Sequence, residues 1–304
     1  MRSITHGCQL SRLDSLLAVC YAIRRRSCRS CYSGVIAALS ESIRAVERAL
    51  DILLCFSRQT PQLTMTQIAE RLGMNKSAVH RHLATLERMR FVQRDPATGV
   101  YRLGVRVLQM AYLTLEGNDL RRVAAPFLRR LCDEYRETVD LSVLDDTDVV
   151  FLEVIESPQR VKLAAAVGQR LPAFATASGK AILAFMPEEA VLRILHRGMP
   201  FTTEHAARSP EVLLEDLRQT QERGFALALQ EYEYGINAVA APILDLSQQP
   251  IAAVAVAGPA YRLTQERMIE IGPQVVSAAR DIAHELEMAA VPVEPPTVEP
   301  GDRR

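Results

Sequence analysis

No apolar run in the 304-residue chain reaches the roughly 18 residues needed to cross a bilayer, so the chain reads as soluble, with no membrane partner. Glycine and proline are sparse, at 14 and 16 residues, and hydrophobic residues make up 48% against 24% charged. That balance excludes a collagen-like or wholly disordered chain. The length suits two ordinary domains or one large one. Net charge is missing too: 36 basic residues face 36 acidic ones. The zero conceals an asymmetry. Residues 1–34 lack Lys and Glu and carry six Arg against one Asp, giving +5, and Glu41 adds −1. Residues 43–106 hold eleven basic side chains against five acidic, giving +6, while residues 107–304 hold nineteen against twenty-nine, giving −10. A compact basic segment joined to a larger acidic one suits a chain whose first part meets a polyanion; a chance fluctuation of surface charge would give the same counts.

A complete zinc motif is also absent. Cys28-Arg-Ser-Cys31 has half-site spacing, but no second Cys/His pair follows it, so no metal and no cofactor are expected. Cys8 and Cys20 share that N-terminal stretch, whereas Cys55 and Cys132 fall in apolar helical patterns and read as buried thiols of a cytoplasmic protein. The apolar stretch Leu16–Ile23 precedes Arg24-Arg25-Arg26, the reverse of a signal peptide, so export is not expected. Residues 1–40 read as a disordered or spurious extension, with translation starting near Val35. Residues 289–304, rich in Pro and Glu, read as a disordered tail.

The basic segment, 41–104, carries helix signals in close order. Ile43, Val46, Leu50 and Leu53 recur at three- and four-residue spacing, giving an amphipathic helix to about Ser57. Thr64-Met65-Thr66-Gln67 fits a capping box opening a short helix with Met65, Ile68, Ala69 and Leu72 on one face, ended by Gly73. Asn75 is placed to cap a third helix whose core face is Val79, Leu83 and Leu86. Phe91–Arg94 and Val100–Leu103, around the turn Asp95-Pro96-Ala97-Thr98-Gly99, make a hairpin. Helix, helix, tight turn, helix and hairpin form a winged helix-turn-helix.

At about 100° per residue, Ser77, Arg81, Ala84 and Arg88 lie opposite the third helix's core face, with His80 on its flank. A major groove admits one helix, so Arg81 is placed to pair with guanine and Ser77 to meet a base or a phosphate. Lys76, Arg88, Arg90, Arg94 and Arg102 read as phosphate contacts that hold register, and Thr66 and His80 complete the expected double-stranded DNA surface. Ordinary solvated charges on a small helical domain would look similar.

Residues Thr66-Gln67-Ile68-Ala69-Glu70-Arg71-Leu72-Gly73-Met74-Asn75-Lys76-Ser77-Ala78-Val79-His80-Arg81-His82-Leu83-Ala84-Thr85-Leu86 resemble the DNA-binding half of IclR-type bacterial transcriptional regulators. Leu171-Pro172-Ala173-Phe174-Ala175-Thr176-Ala177-Ser178-Gly179-Lys180-Ala181-Ile182-Leu183-Ala184 is similar to that family's effector-domain signature. So are Gly235 through Ala241-Pro242-Ile243 and Gly258-Pro259. The resemblance runs from about Glu41 to Met288 and does not cover the first forty residues. It implies a transcriptional regulator that binds a near-palindromic operator and a small-molecule effector, as a homodimer and often a tetramer.

Val105, Leu108, Tyr112 and Leu115 are spaced as an a/d seam in a linker helix, 105–118. The seam packs on its own domain or dimerises; the resemblance favours dimerisation. The acidic segment, 119–288, opens with a helix over Leu120–Arg136, with Val123, Phe127, Leu128 and Leu131 as its apolar positions. Strands are expected at Val139–Leu144, Val149–Ile155 and Val161–Val167, with a helix from Ser209-Pro210 to Gly224. A hairpin of Ile236–Leu244 and Ile251–Ala257 and a helix from Thr264 to about Met288 follow. The predicted class is α+β: a winged helix-turn-helix, a linker helix, and a GAF/PAS-like antiparallel sheet with flanking helices.

Catalysis is not expected. Ser178-Gly179-Lys180 is no phosphate loop, since Phe174 and Ala181 stand where Gly and Ser/Thr are required, and His284-Glu285 lacks a second zinc-protease His. A ligand site is indicated at Thr176, Ala177, Ser178 and Gly179, which lead into a helix whose first amides could hold a carboxylate; Thr176 or Ser178 capping that helix is the alternative. In family members that bind small keto acids the facing strands present polar groups. Here the matching positions are Ala238, Ala240, Ala255 and Ala257, with Leu229 or Ala228 where an acidic residue can occur. That lining better suits a larger, partly apolar or aromatic acid. Gln230, Glu231, Tyr232 and Asn237 supply specificity or are merely surface residues.

Overall fold

The computed structural model describes residues 43–57, 59–116, 119–200 and 202–290. The expectations for residues 1–40 and 291–304, with Cys8, Cys20, Cys28 and Cys31, lie outside the described residues, as does the side chain of Leu115. The chain divides into two compact units at Met110/Ala111.

The first unit opens with α1 (Arg44–Leu54), α2 (Met65–Leu72) and α3 (Lys76–Arg88). The capping box forms as the spacing requires: Thr64 Oγ1 accepts from Gln67 N–H, and Gln67 Oε1 accepts from Thr64 N–H. Gly73 then ends α2 at φ 59°, a left-handed conformation that costs a side-chain-free residue least. Asn75 Oδ1 accepts from Ala78 N–H at 2.8 Å and starts α3. Ile52, Ile68, Val79, Leu83 and Val92 close the small core. Strands β1 (Val92–Arg94) and β2 (Tyr101–Leu103) form the wing, with Gln93 opposite Arg102. Asp95 Oδ1 accepts from Ala97 and Thr98 N–H in its turn, which holds that carboxyl below the ordinary range.

The first helix departs from expectation. Ile43, Val46 and Leu50 are 67%, 52% and 52% exposed, and the inward residue is Ile52, flanked by Ala49 and Leu53. The helix is apolar on more than one side, and a core this small has room for one of them.

The linker helix α4 runs Val105–Glu116 and leaves Val105 and Leu108 exposed. In the second unit α5 (Asp119–Tyr135) precedes a six-stranded antiparallel sheet, in spatial order β5-β4-β3-β8-β7-β6. The strands are β3 (Thr138–Asp145), β4 (Asp148–Ile155), β5 (Arg170–Pro172), β6 (Ala226–Leu229), β7 (Ile236–Leu244) and β8 (Pro250–Pro259). Helix α6 (Ala177–Leu183), α7 (Glu188–Leu195) and α8 (Pro210–Arg223) come between β5 and β6, and α9 (Gln265–Ala290) closes the unit. Ser209 caps α8 and Gly224 ends it.

Alternation divides the sheet's side chains. Val239, Ile243, Val254 and Val256 point to the layer of α5 and α9, where Leu128, Met268 and Val275 meet them. Ala240, Ala253 and Ala255 point the other way, to α6 and α8. One face is therefore filled by branched side chains and the other is shallow.

Val161–Val167 is not a strand. Its carbonyls at Val161 and Leu163 accept from the side chains of Arg262 and Thr138, and β5 takes the place beside β4, with Leu171 opposite Val149. The run instead passes over the shallow face, with Ala165 buried. Strand β6 and helix α7 went unpredicted, being too short for their periodicity to register.

Helix α6 is seated against the one-turn 3₁₀ segment Ala173–Ala175, so closely that a Cβ on Gly179 would stand 2.1 Å from the Ala173 carbonyl oxygen. Backbone cannot yield as a flexible side chain would. Gly179→Ala is expected to lower stability by about 1–3 kcal/mol, read as a reduced urea midpoint with an unchanged slope.

Candidate functional site

Two surfaces hold the residues singled out by sequence. On α3, Lys76, Ser77, His80, Arg81 and Arg88 are all exposed, opposite the buried Val79, Leu83 and Leu86. Ser77 Oγ donates to Asn75 Oδ1 at 3.0 Å and so supports the cap. Thr66, on α2, is half-buried. On the wing, Arg102 donates to Gln93 Oε1 at 3.1 Å, and the Arg94 guanidinium lies 6.0 Å from the Tyr101 ring centroid. Neither contact cancels charge. Among the described residues, the salt bridges join other side chains and include none of Lys76, Arg81, Arg88, Arg94 and Arg102, although Arg102 stands near enough to Asp95 to help hold that carboxyl down. Cations outside any salt bridge on one helix and one hairpin suit a run of phosphates.

The second surface is a cavity of about 80 Å³ on the shallow side of the large sheet. The alternation of β7 and β8 puts Ala238, Ala255 and Ala257 in its wall, and the turn before α6 adds Thr176, Ala177 and Ser178. Three expected residues are not there. Gly179 is packed on Ala173, and Ala240 lies buried among α6 and α8 outside the cavity lining. Leu229 faces the α5/α9 layer because a strand alternates by two, so Ala228 takes the cavity position. Glu231 and Tyr232 line the cavity, whereas Asn237 is buried and its Nδ2 donates to the Leu263 carbonyl. The first amides of α6 are partly used: Thr176 Oγ1 accepts from Gly179 N–H at 3.1 Å.

Asp140 and Lys180 are the charges that pattern reading overlooked. Asp140, from the middle of β3, lines the cavity at 2% exposure and accepts from Ser178 Oγ at 3.3 Å. Burial pushes its carboxyl up to about 7, with the Ser178 and Ser142 hydroxyls pulling part of the way back. Its signal in the sequence is an ionisable residue at an inward position of an apolar strand. Lys180 is 1% exposed, its Nζ 2.6 Å from both Asp216 Oδ2 and Glu231 Oε1. Burial raises the Glu231 carboxyl, and the Lys180 charge opposes that rise. Among the described residues no His/Cys/Asp/Glu group is arranged to hold a metal, and no helix is long and apolar enough to cross a membrane.

Comparison with known proteins agrees with this division. Residues 45–96 match the IclR helix-turn-helix domain, and residues 112–284 match the bacterial transcriptional regulator IclR C-terminal domain. The transcriptional repressor IclR of Escherichia coli (strain K12) is 31% identical over 243 residues, 79% of this chain and 89% of that one. The crystal structure of a regulator of this type from Alicyclobacillus acidocaldarius superposes with a TM-score of 0.72 at 28% identity, over 80% of this chain and 98% of that one. An IclR homolog from Microbacterium hydrocarbonoxydans, crystallised with 4-hydroxybenzoate, gives 0.68 at 26% identity, over 79% and 99%. The chain belongs to the IclR family of bacterial transcriptional regulators, with a helix-turn-helix DNA-binding domain followed by an effector-binding domain.

Proposed function

We propose that this cytoplasmic, non-catalytic regulator reads a near-palindromic operator as a homodimer, and that a small organic acid in the alanine-walled cavity alters its affinity for that operator. Arg81 and Ser77 read base edges in the major groove. Lys76, Arg88, Arg94 and Arg102 hold phosphates, with Thr66 and His80 at the margin of the contact. The observation that carries the reading is the row of exposed cations outside any salt bridge on α3 and the wing, with the core face of α3 buried behind them.

The exposed seam residues Val105 and Leu108 of α4 are assigned to dimerisation, which would present two recognition helices one helical repeat apart; assembly to a tetramer would bring further operator sites together. For the effector, a small cavity with an apolar wall and a few polar groups at one end suits an aromatic or short aliphatic acid, and the relative crystallised with 4-hydroxybenzoate supports that class. Regulation is linkage: an effector that prefers one arrangement of the dimer shifts operator affinity by about 1–3 kcal/mol.

Arg81→Ala should weaken binding to the protein's own upstream promoter fragment by about 1–3 kcal/mol in a mobility-shift titration, and unchanged affinity would remove Arg81 as a reader. Arg94→Ala should instead weaken all sequences alike and reduce the slope of log affinity against log salt by about 1. For the seam, Leu108→Glu should shift sedimentation toward the monomer; an unaltered sedimentation coefficient would place dimerisation elsewhere.

A further inference from the structure

Asp140 sits in the wall of the cavity without the partners that a buried carboxylate needs. Its backbone is fixed by both neighbouring strands, opposite Val154 of β4 and Ala255 of β8, so it cannot turn away to solvent. The hydroxyl of Ser178 occupies one acceptor direction of a group that has about four. Ser142, buried two residues along the same strand face, is the second hydroxyl near it, so two donors serve a carboxylate that no cation reaches.

No charge on the surrounding elements completes it. From β4, Glu153 points with Leu141 to the opposite face and pairs with Arg121 at 2.7 Å. Strand β8 has no ionisable side chain. On α6, Lys180 is committed to Asp216 and Glu231. The crossing segment brings Lys162, paired with Glu156 at 2.5 Å, and the loop before β7 brings Glu231, Tyr232 and the exposed Glu233. The ionisable groups that line the cavity are thus Asp140, two glutamates and a tyrosine, with no cation among them.

We propose that Asp140 is the selecting residue of this cavity: its carboxylate accepts a hydrogen bond from a hydroxyl group of the effector, and molecules of the same frame without that hydroxyl are rejected. This rests on the reading of the cavity as the effector site. A hydroxyl fits better than an ammonium, because a neutral donor enters an alanine-lined space of about 80 Å³ at much smaller desolvation cost. A site built around a buried acceptor penalises ligands that leave it unsatisfied.

The proposal has a pH signature. Burial holds the ligand-free carboxyl up at about 7, and a donor from the ligand favours the ionised form. The effector's own carboxylate opposes ionisation of Asp140 by like charge. With that group held at the far end of the cavity the hydroxyl donor outweighs it, so binding below that raised value expels a proton. Affinity then rises with pH, by up to about tenfold per pH unit, before levelling off once Asp140 is already ionised. Without ligand, the raised carboxyl destabilises the fold as pH increases from about 4 to about 7.

The test is titration calorimetry on the full chain with two matched pairs, 4-hydroxybenzoate against benzoate and lactate against propionate. The wild type is expected to bind the hydroxylated member of at least one pair about tenfold more tightly or better. Its affinity should rise between about pH 6 and about pH 8, with proton release into the buffer. Asp140→Asn keeps an acceptor but cannot titrate, so the hydroxyl preference stays and the pH dependence goes. Asp140→Leu loses both. Equal affinities within each pair, a preference that survives Asp140→Leu, or affinity that falls with rising pH would each overturn the selection by Asp140 while leaving an effector site in place. Failure of all four compounds to bind the wild type would overturn the organic-acid reading together with it. As a ligand-free control, the wild-type melting temperature should fall relative to that of Asp140→Asn between about pH 4 and about pH 7 and then level off, and a constant difference counts against the proposal.

Discussion

The second unit depends on a division of labour between the two sides of β7 and β8. A strand exposes alternate residues to alternate faces, and here the division is by size as well as by direction. Val239, Ile243, Val254 and Val256 fill the space under α5 and α9, whereas Ala238, Ala240, Ala253, Ala255 and Ala257 leave the other face shallow. The cavity is the space that alanine does not occupy, closed by the turn before α6 and by the crossing segment that ends at β5. A slip of one residue in either strand would place branched side chains in the cavity and methyl groups in the helix layer. The register that makes the core therefore also makes the site, and neither could be altered alone.

Local signals were legible because they need few residues. The capping box at Thr64, the left-handed stop at Gly73, the Asn75 cap and the Ser209-Pro210 start were all read from adjacent residues, and each has the hydrogen bonds its residue type supplies. The central hairpin was equally plain, since Ile236–Leu244 and Ile251–Ala257 flank a polar turn. Val161–Val167 misled for a physical reason: β-branched and small apolar residues suit a strand, but they suit equally a segment laid across an apolar hollow. The stripe on α1 misled likewise, because periodicity records which residues share a side without saying which side finds a partner.

The cavity was legible in part. Ala238, Ala255, Ala257 and the Thr176–Ser178 turn were found through resemblance, and strand alternation decides between Leu229 and Ala228 in favour of Ala228. Of its charged groups Glu231 was among the candidates, whereas Asp140 and the Lys180 that holds Glu231 were not. Lys180 is held by side chains 36 and 51 residues away, and no local pattern announces a bond across such a separation. Replacing Lys180 by an apolar residue would leave Glu231 buried without its cation, which in other proteins costs several kcal/mol. The triad ties α6, α8 and the loop before β7 at one point, so the loop that carries the cavity's glutamates is anchored to the helices rather than free to follow a ligand.

In the first unit the wing has a third strand-like member. Leu63 and Tyr101 exchange both main-chain hydrogen bonds, so the loop ahead of α2 is stitched to the second strand of the hairpin. Leu63 and Tyr101 are also both core residues, so the stitch is clamped on its side-chain face as well. The spacing between the cations of the wing and those of α3 is thereby set by the protein. On the proposed reading of these cations as phosphate contacts, a duplex would have to bring its own backbone to that spacing, and tracts that narrow or widen at low elastic cost would be favoured at base pairs the domain never touches. The wing in this sense is a caliper.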